Sequence, residues 1–102
     1  MAIKVIMSRH VNLGHEYELH ELLVELRSRA LRRPGYISGE TLVLASDASF
    51  HLVISTWSSL REWRDWEDHP ERVELLKKIN ALLASPAKTE VWLDRGAAVS
   101  AV

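Results

Sequence analysis

The distribution of apolar and polar residues along the chain predicts a series of alternating strands and helices. Residues 2–11 are rich in β-branched side chains, which predicts a first strand. Residues 15–32 change to a helical period and predict an amphipathic helix. Its predicted buried face carries Leu19, Leu22, Leu23, Leu26 and Ala30. Pro34 ends this helix, because proline disfavours helical geometry in the residue before it.

Two further apolar segments, residues 36–46 and 49–57, have the composition of strands. The short polar stretch between them predicts a tight hairpin turn at residues 47–48. The order of residues at the turn lacks the strongest hairpin signals, Asn-Gly and Asp-Gly.

The second helical region is predicted in two pieces. Ser59 and Glu62 have the spacing of a capping box, which predicts a short helix over residues 59–67. Pro70 suits the first position of another helix. The face of this helix is predicted to carry Val73, Leu76, Ile79 and Leu83. Residues 88–94 alternate and predict a last strand.

The predicted order is β-α-β-β-α-β, which is typical of an α+β ferredoxin-like fold. Such a fold has a four-stranded antiparallel sheet with its helices on one face. We expect residues 1–95 to form this one domain. Residues 96–102, which are small and weakly patterned, are expected to be a tail that frays or packs on a partner.

The predicted strands carry apolar residues on both faces of the sheet. In the third strand Phe50, Leu52 and Ile54 alternate with Val53 and Trp57. A sheet face that lies in water should instead carry polar residues. We therefore expect a homodimer in which two sheets pack face to face. The alternative is that the C-terminal tail covers this face within one chain.

Composition narrows the possible partners. The chain has 102 residues, of which 47% are hydrophobic and 26% charged, as expected of a soluble globular protein. A net charge of −1 gives no basic field for nucleic acid or an anionic membrane. The chain has no cysteine, no apolar stretch long enough to span a bilayer and no evident signal peptide. The expected location is the cytoplasm.

Several sequence elements together resemble the antibiotic biosynthesis monooxygenase domain family of dimeric α+β barrel proteins. They are Gly14 before the first helix, the stretch Pro34-Gly35-Tyr36-Ile37-Ser38-Gly39-Glu40, the run Val53-Ile54-Ser55-Thr56-Trp57-Ser58-Ser59 followed by Trp63, Trp66 and His69-Pro70, and Glu90-Val91-Trp92. The resemblance covers residues 2–94. It implies a ferredoxin-like dimer with a pocket between sheet and helices. The family includes cofactor-independent oxygenases that act on aromatic molecules, quinol oxygenases and haem-degrading enzymes.

The haem-degrading branch of this family fits the sequence poorly. Its tryptophan corresponds to Trp66, but the position of its asparagine falls on Met7 or Ser8. The position of its axial histidine falls near Leu76, and no histidine follows Pro70. Because an iron ligand is missing, we disfavour haem binding.

The predicted function is a cofactor-independent monooxygenase that oxidises a small aromatic or quinol-like molecule and uses no cofactor or metal. The alternative is a non-catalytic binding or structural dimer. Side chains that can transfer a proton or stabilise an oxyanion are the catalytic candidates His10, His51, His69 and Arg9. Apolar and aromatic side chains expected to line the pocket are Trp66, Tyr17, Tyr36, Met7 and Trp63.

Each of these candidates also has a structural interpretation. His69 precedes a helix that restarts at Pro70, where a helix cap is the more frequent role. His15 and His20 lie five positions apart and do not share a helix face, so they lack the geometry of the zinc motif H-E-x-x-H.

Overall fold

The computed structural model of the protein describes residues 1–95. Its elements follow the predicted order, with the second helix in two pieces. They are β1 (Ile3–His10), α1 (Glu16–Ala30), β2 (Tyr36–Leu44), β3 (Asp47–Trp57), α2 (Leu60–Glu67), α3 (Pro70–Asn80) and β4 (Lys88–Leu93). The predicted tail at residues 96–102 lies outside the described residues.

The four strands form one antiparallel sheet in the order β2-β3-β1-β4. Alternate residues of β1 are buried, and these are Ile3, Val5, Met7 and Arg9. They belong to the face that the helices cover, which we name the inner face. The structure thus has the α+β ferredoxin-like fold that the sequence predicts.

The core between the inner face and the helices is rich in aromatic and aliphatic side chains. Leu19, Leu26 and Ala30 of α1 are buried as the helical period predicts, while Leu22 and Leu23 are partly buried against them. Burial of this apolar surface is the main stabilising contribution to such a fold.

The β2–β3 turn lies two residues earlier than predicted. Residues 45–46 form the turn, and Leu44 pairs with Asp47, which begins β3. The Asp47 carboxylate accepts hydrogen bonds from the backbone N–H (3.0 Å) and the hydroxyl (2.6 Å) of Ser49. These local bonds fix Asp47 within the strand, so the polar residues that indicated a turn instead stabilise the start of β3.

The buried face of α3 also differs from the prediction. Its buried residues are Arg72, Leu75 and Ile79, followed by Leu82 after the helix, and Val73 is exposed. The prediction for Val73 was wrong because it excluded a charged side chain from the core. With Arg72 included, the buried positions follow the expected helical spacing.

The junction of α1, β2 and α2 depends on Gly35. This residue has a φ of +86°, which non-glycine residues rarely adopt. A Cβ atom at this position would lie 2.6 Å from the Cβ atom of Glu62. The backbone carbonyl of Gly35 also accepts a hydrogen bond from Ser58 N–H (2.8 Å). Close approach of the backbone here sets the angle at which α2 leaves the sheet.

The predicted capping box at the start of α2 is present. The Ser59 hydroxyl oxygen accepts a hydrogen bond from Glu62 N–H (3.2 Å), and the Ser59 hydroxyl donates to the Glu62 carboxylate (3.0 Å). The Ser58 hydroxyl donates to the same carboxylate. The cap orients α2 so that Trp63 and Trp66 are buried.

Within residues 1–95, none of the helices has both the length and the apolar character that crossing a membrane requires.

Candidate functional site

A cavity lies between the inner face of the sheet and the helices. About 80 Å³ of it can hold the centre of a water-sized sphere, within about 570 Å³ of empty space that includes open solvent. Residues from six of the elements line it: Met7, Arg9, Leu23, Leu26, Arg27, Ala30, Tyr36, Gly39, Glu40, Thr41, Val53, Ser55, Trp57, Trp63, Trp66 and Arg72. Its lining of apolar and aromatic side chains with a few polar groups is typical of a site for a small organic molecule.

Aromatic rings form one side of the cavity. Tyr36 meets Trp57 edge to face with ring centroids 5.3 Å apart, and Trp57 lies 5.6 Å from Trp63. The Trp57 indole N–H donates to the Ser55 hydroxyl (3.1 Å). Gly39 leaves space for the Tyr36 hydroxyl, since a Cβ atom there would lie 2.5 Å from that oxygen. The rings are therefore held in fixed positions around the cavity.

A hydrogen bond joins α1 and β2 at the lining of the cavity. Arg27, which is exposed on α1, donates a hydrogen bond to the Gly39 carbonyl (2.7 Å) on β2. Both residues belong to the cavity lining, so this bond fixes the helix to the sheet at the cavity wall.

Two arginines are buried in the cavity wall. Arg9 is 3% exposed and Arg72 is 5% exposed. Each donates through its Nη2 atom to the sulfur of Met7, at 3.6 Å and 3.7 Å respectively. The Arg72 guanidinium also lies 5.0 Å from the ring centroid of Trp63 and donates to the Glu67 carbonyl (3.1 Å). Two cations thus meet at one sulfur atom in the core.

Several N–H groups at this point have no hydrogen-bond partner among residues 1–95. They are Nε and Nη1 of Arg9, Nε of Arg72 and Nε1 of Trp63. Neither guanidinium forms an ion pair with a carboxylate within the described part of the chain. A buried donor without a partner is costly, so such a group in a cavity wall indicates a place where a ligand acceptor would bind.

Burial of these cations changes their proton affinity. Burial, together with the nearby positive charge of Arg72, lowers the pKa of Arg9 from its ordinary value to about 10. Burial also lowers the pKa of Arg72, although the carboxylates of Glu67 and Asp68 oppose that shift. Both groups therefore stay protonated at neutral pH and give the cavity a positive potential.

The cavity brings together five of the residues that the sequence suggested. Arg9 and four of the predicted pocket residues, Met7, Tyr36, Trp63 and Trp66, line it. The fifth predicted pocket residue, Tyr17, lies elsewhere, on the outside of α1 with 78% of its surface exposed.

The three candidate histidines do not line this cavity. His10 lies on the opposite face of β1 from Arg9 and stacks on Phe50 with ring centroids 4.0 Å apart. His51 is the cross-strand neighbour of Arg9, and its Nε2 atom lies 3.1 Å from the Ala48 carbonyl. His69 caps α3, because its Nδ1 atom accepts a hydrogen bond from Glu71 N–H (3.1 Å).

Sequence reasoning missed Arg72, Trp57 and Ser55 as cavity residues. Arg72 could have been found from its spacing, since it precedes Leu75 by three positions and Ile79 by seven. An arginine at a core position of an amphipathic helix is uncommon and marks a functional or ion-paired site. No comparable sequence signal distinguishes Trp57 or Ser55 from ordinary core residues of a strand.

Within residues 1–95, no three histidine or carboxylate side chains lie close enough together to hold a metal ion. All five histidines of the chain lie within this range, and none of them is on the cavity wall.

Comparison with solved structures identifies close matches to the fold. SnoaB, a cofactor-independent oxygenase from Streptomyces nogalater, superposes with a TM-score of 0.85 at 14% identity, over 94% of this chain and 95% of that one. Rv0793 from Mycobacterium tuberculosis gives a TM-score of 0.86 at 15% identity, over 97% and 100% of the two chains. A structure named antibiotic biosynthesis monooxygenase gives 0.83 at 16%, over 92% and 99%.

No family model matches the sequence, and no curated protein matches it. The structural comparison establishes that this chain has the fold of antibiotic biosynthesis monooxygenase structures, as the resemblance in sequence implies. Identities this low establish the fold and leave the reaction to be argued from the site itself.

Proposed function

We propose that this chain is a cofactor-independent monooxygenase of the antibiotic biosynthesis monooxygenase type, which oxidises a small aromatic or quinol-like molecule in the cavity. The observation that carries the proposal is that fixed aromatic rings and two buried guanidinium groups line one cavity. Rings of this kind stack on an aromatic substrate and exclude water. The fold shared with SnoaB, a cofactor-independent oxygenase, supports the same conclusion.

Without a cofactor, the substrate itself must supply the electrons that reduce oxygen. An anthrone-type methylene group can do so once it loses a proton to form an enolate. Oxygen then adds to the carbon, one oxygen atom remains as the new carbonyl, and the other leaves as water with the two hydrogen atoms. The carbon loses four electrons and dioxygen gains four, so the step needs no other reductant.

The buried arginines suit the charge that this reaction develops. Removing a proton from the substrate places negative charge on its oxygen, and Arg9 and Arg72, which line the cavity, carry buried N–H groups that have no partner among residues 1–95. Donors fixed in a site of low dielectric constant stabilise such an oxyanion strongly. They also lower the pKa of the substrate, so we propose that its proton leaves to solvent through the open mouth.

Oxygen uptake with a panel of anthrones and hydroquinones tests the proposal. We expect turnover by the wild type and a loss of about 100-fold or more in Arg9→Gln, because an oxyanion donor is removed. Arg61→Gln, which changes an exposed arginine on α2, is the matched control and should retain the rate.

The histidines give an independent check on the route of the proton. We expect His10→Ala, His51→Ala and His69→Ala to stay within about threefold of the wild-type rate, since a general base typically contributes 100-fold or more. A large loss in one of them would place the proton acceptor outside this cavity wall. Uptake no faster than the uncatalysed rate with every substrate would contradict the proposed activity and favour a non-catalytic binding protein.

We also propose that the protein pairs with a second copy of itself. The face of the sheet opposite the inner face, named here the outer face, carries the apolar side chains Ile6, Leu42, Phe50, Leu52, Ile54 and Trp92. None of the helices in residues 1–95 covers it, because they pack on the inner face. Lys4, Lys88 and Glu90 lie on the same face, and an apolar group of this extent on a sheet is typically buried against another sheet.

A further inference from the structure

The strongest unexplained feature of the cavity is its excess of positive charge. Arg9 and Arg72 both meet the sulfur of Met7, yet neither has a carboxylate partner within residues 1–95. Buried cations are normally paired, and a pair of them side by side repel each other. The carboxylates of Glu67 and Asp68 act on Arg72 without forming an ion pair with it, and the oxyanion of the proposed reaction supplies a single negative charge at the two guanidinium groups.

The donors without partners indicate what would balance the second charge. Nε and Nη1 of Arg9, Nε of Arg72 and Nε1 of Trp63 are buried N–H donors in the same cavity wall. Together they can give more hydrogen bonds than one oxyanion can accept. A planar carboxylate accepts several N–H bonds at once and matches the geometry of a guanidinium group.

The rest of the cavity limits what carries that carboxylate. Beyond the arginines its wall is formed mainly by aromatic and aliphatic side chains, including Trp66 and Tyr36. A small inorganic anion would leave this apolar surface uncovered, whereas an aromatic ring would cover it.

We propose that Arg9, Arg72 and Trp63 form a carboxylate-binding subsite, so that the ligand of this protein is an aromatic acid. The inference deepens the proposed function, since it names the class of its substrate. One guanidinium charge is matched by the carboxylate of the resting ligand and the other by the oxyanion that forms during the reaction.

Binding of 2-naphthoate, measured by calorimetry and by tryptophan fluorescence, tests the subsite. The neutral alcohol 2-naphthylmethanol has the same ring system and serves as the matched ligand. We expect it to bind about 10- to 100-fold more weakly, which corresponds to the loss of a hydrogen bond to a charged group. Equal affinity of the two ligands would overturn the proposal.

Variants assign the binding to the named residues. Arg9→Gln and Arg72→Gln should each weaken 2-naphthoate binding by about tenfold or more while leaving 2-naphthylmethanol within about threefold, and Arg61→Gln should change neither. Arg9→Lys keeps the positive charge and should retain more affinity than Arg9→Gln. Circular dichroism and a thermal melt confirm that each variant is folded. Unchanged 2-naphthoate affinity in folded Arg9→Gln and Arg72→Gln would overturn the assignment.

Inorganic phosphate distinguishes an acid subsite from a general anion site. We expect phosphate to bind at least about tenfold more weakly than 2-naphthoate, because it covers none of the aromatic wall. Phosphate binding as tight as that of 2-naphthoate would overturn the choice of an aromatic acid.

The binding experiment needs no turnover, so the two proposals fail separately. Tight 2-naphthoate binding without oxygen uptake from any substrate would uphold the subsite and contradict the oxygenase. Oxygen uptake from neutral hydroquinones, together with equal affinity for 2-naphthoate and 2-naphthylmethanol, would uphold the oxygenase and contradict the subsite.

Discussion

Arg9 occupies a position where an apolar side chain would cost less free energy. Its neighbours along the inner face of β1, Val5 and Met7, are apolar and buried as it is. The pKa of Arg9 falls to about 10 because burial and the Arg72 cation both disfavour its charged form. A residue that is costly in the free protein but faces a cavity is best explained by what it does to a ligand.

The pKa of Arg9 gives a prediction for stability. Because this pKa falls from the ordinary value for arginine to about 10 in the folded protein, the charged side chain costs roughly 3 kcal/mol of folding free energy at neutral pH. We therefore expect Arg9→Met to raise the free energy of unfolding by about 1–3 kcal/mol in urea denaturation at about pH 7. Arg61→Met should change it by no more than about 0.5 kcal/mol.

The same shift sets the sign of the pH dependence. The folded protein loses the Arg9 proton near pH 10, whereas the unfolded chain keeps it to a higher pH. Above about pH 10 the wild type therefore regains the folding free energy that the charged Arg9 costs. The difference in free energy of unfolding between Arg9→Met and the wild type should shrink there. If Arg9→Met were clearly less stable than the wild type at neutral pH, the charge of Arg9 would not be destabilising in the folded protein.

At the scale of the elements, α1, β2 and α2 meet at a joint that holds the aromatic side of the cavity. Gly35 enters β2 with a positive φ and lies against Glu62, which belongs to the capping box of α2. Tyr36, the next residue, meets Trp57 of β3, and Trp57 meets Trp63 of α2. A shift of this joint would therefore displace the rings as well as the helix.

Alanine substitutions at two glycines separate the contribution of φ from that of close packing. Gly14 has a similar φ of +90° but open space around it, so Gly14→Ala should cost only the backbone strain, about 1–2 kcal/mol. Gly35→Ala should cost a further 1–3 kcal/mol or so, because its Cβ atom would meet the Glu62 side chain. Thermal and urea denaturation of both variants measure the difference. Equal losses would show that the contact with Glu62 is easily relieved.

For the whole molecule, the exposed apolar side chains on the outer face of the sheet favour the proposed dimer. Leu42 there is 46% exposed, and Phe50 on the neighbouring strand β3 and Trp92 on the far edge strand β4 are exposed as well. Isolated exposed apolar residues are common on proteins, but a continuous group of them on a sheet is typical of an interface. A two-fold pair of sheets would bury the same surface on both copies.

Sedimentation velocity at micromolar concentration tests the proposed dimer. We expect the wild type to sediment as a dimer and Leu42→Glu to shift toward the monomer, because the interface would then bury a charge at a cost of at least about 2 kcal/mol. Val73→Glu is the matched control, since Val73 is 42% exposed but lies on α3, away from the sheet. A monomeric wild type, or equal behaviour of both variants, would contradict pairing through this face.

The sequence by itself determined the order of the elements, the ferredoxin-like fold and most of the buried positions. Period and composition report whether a residue is buried and in which element, and they correctly placed α1 and the cap at the start of α2. They were wrong at two positions: Asp47 was predicted in the turn, and Arg72 was left out of the buried face of α3. There hydrogen bonds or a cavity outweighed the usual preference for turn or surface.

Only the tertiary structure decided which residues share the cavity. Met7 and Arg72 lie 65 positions apart in the chain, yet their side chains meet because β1 and α3 pack on the same side of the sheet. Helical and strand periods carry no information about which distant element faces a given residue. The two buried arginines, the donors left without partners and the exclusion of the histidines from the cavity therefore follow from packing, since packing alone brings these distant side chains to one place.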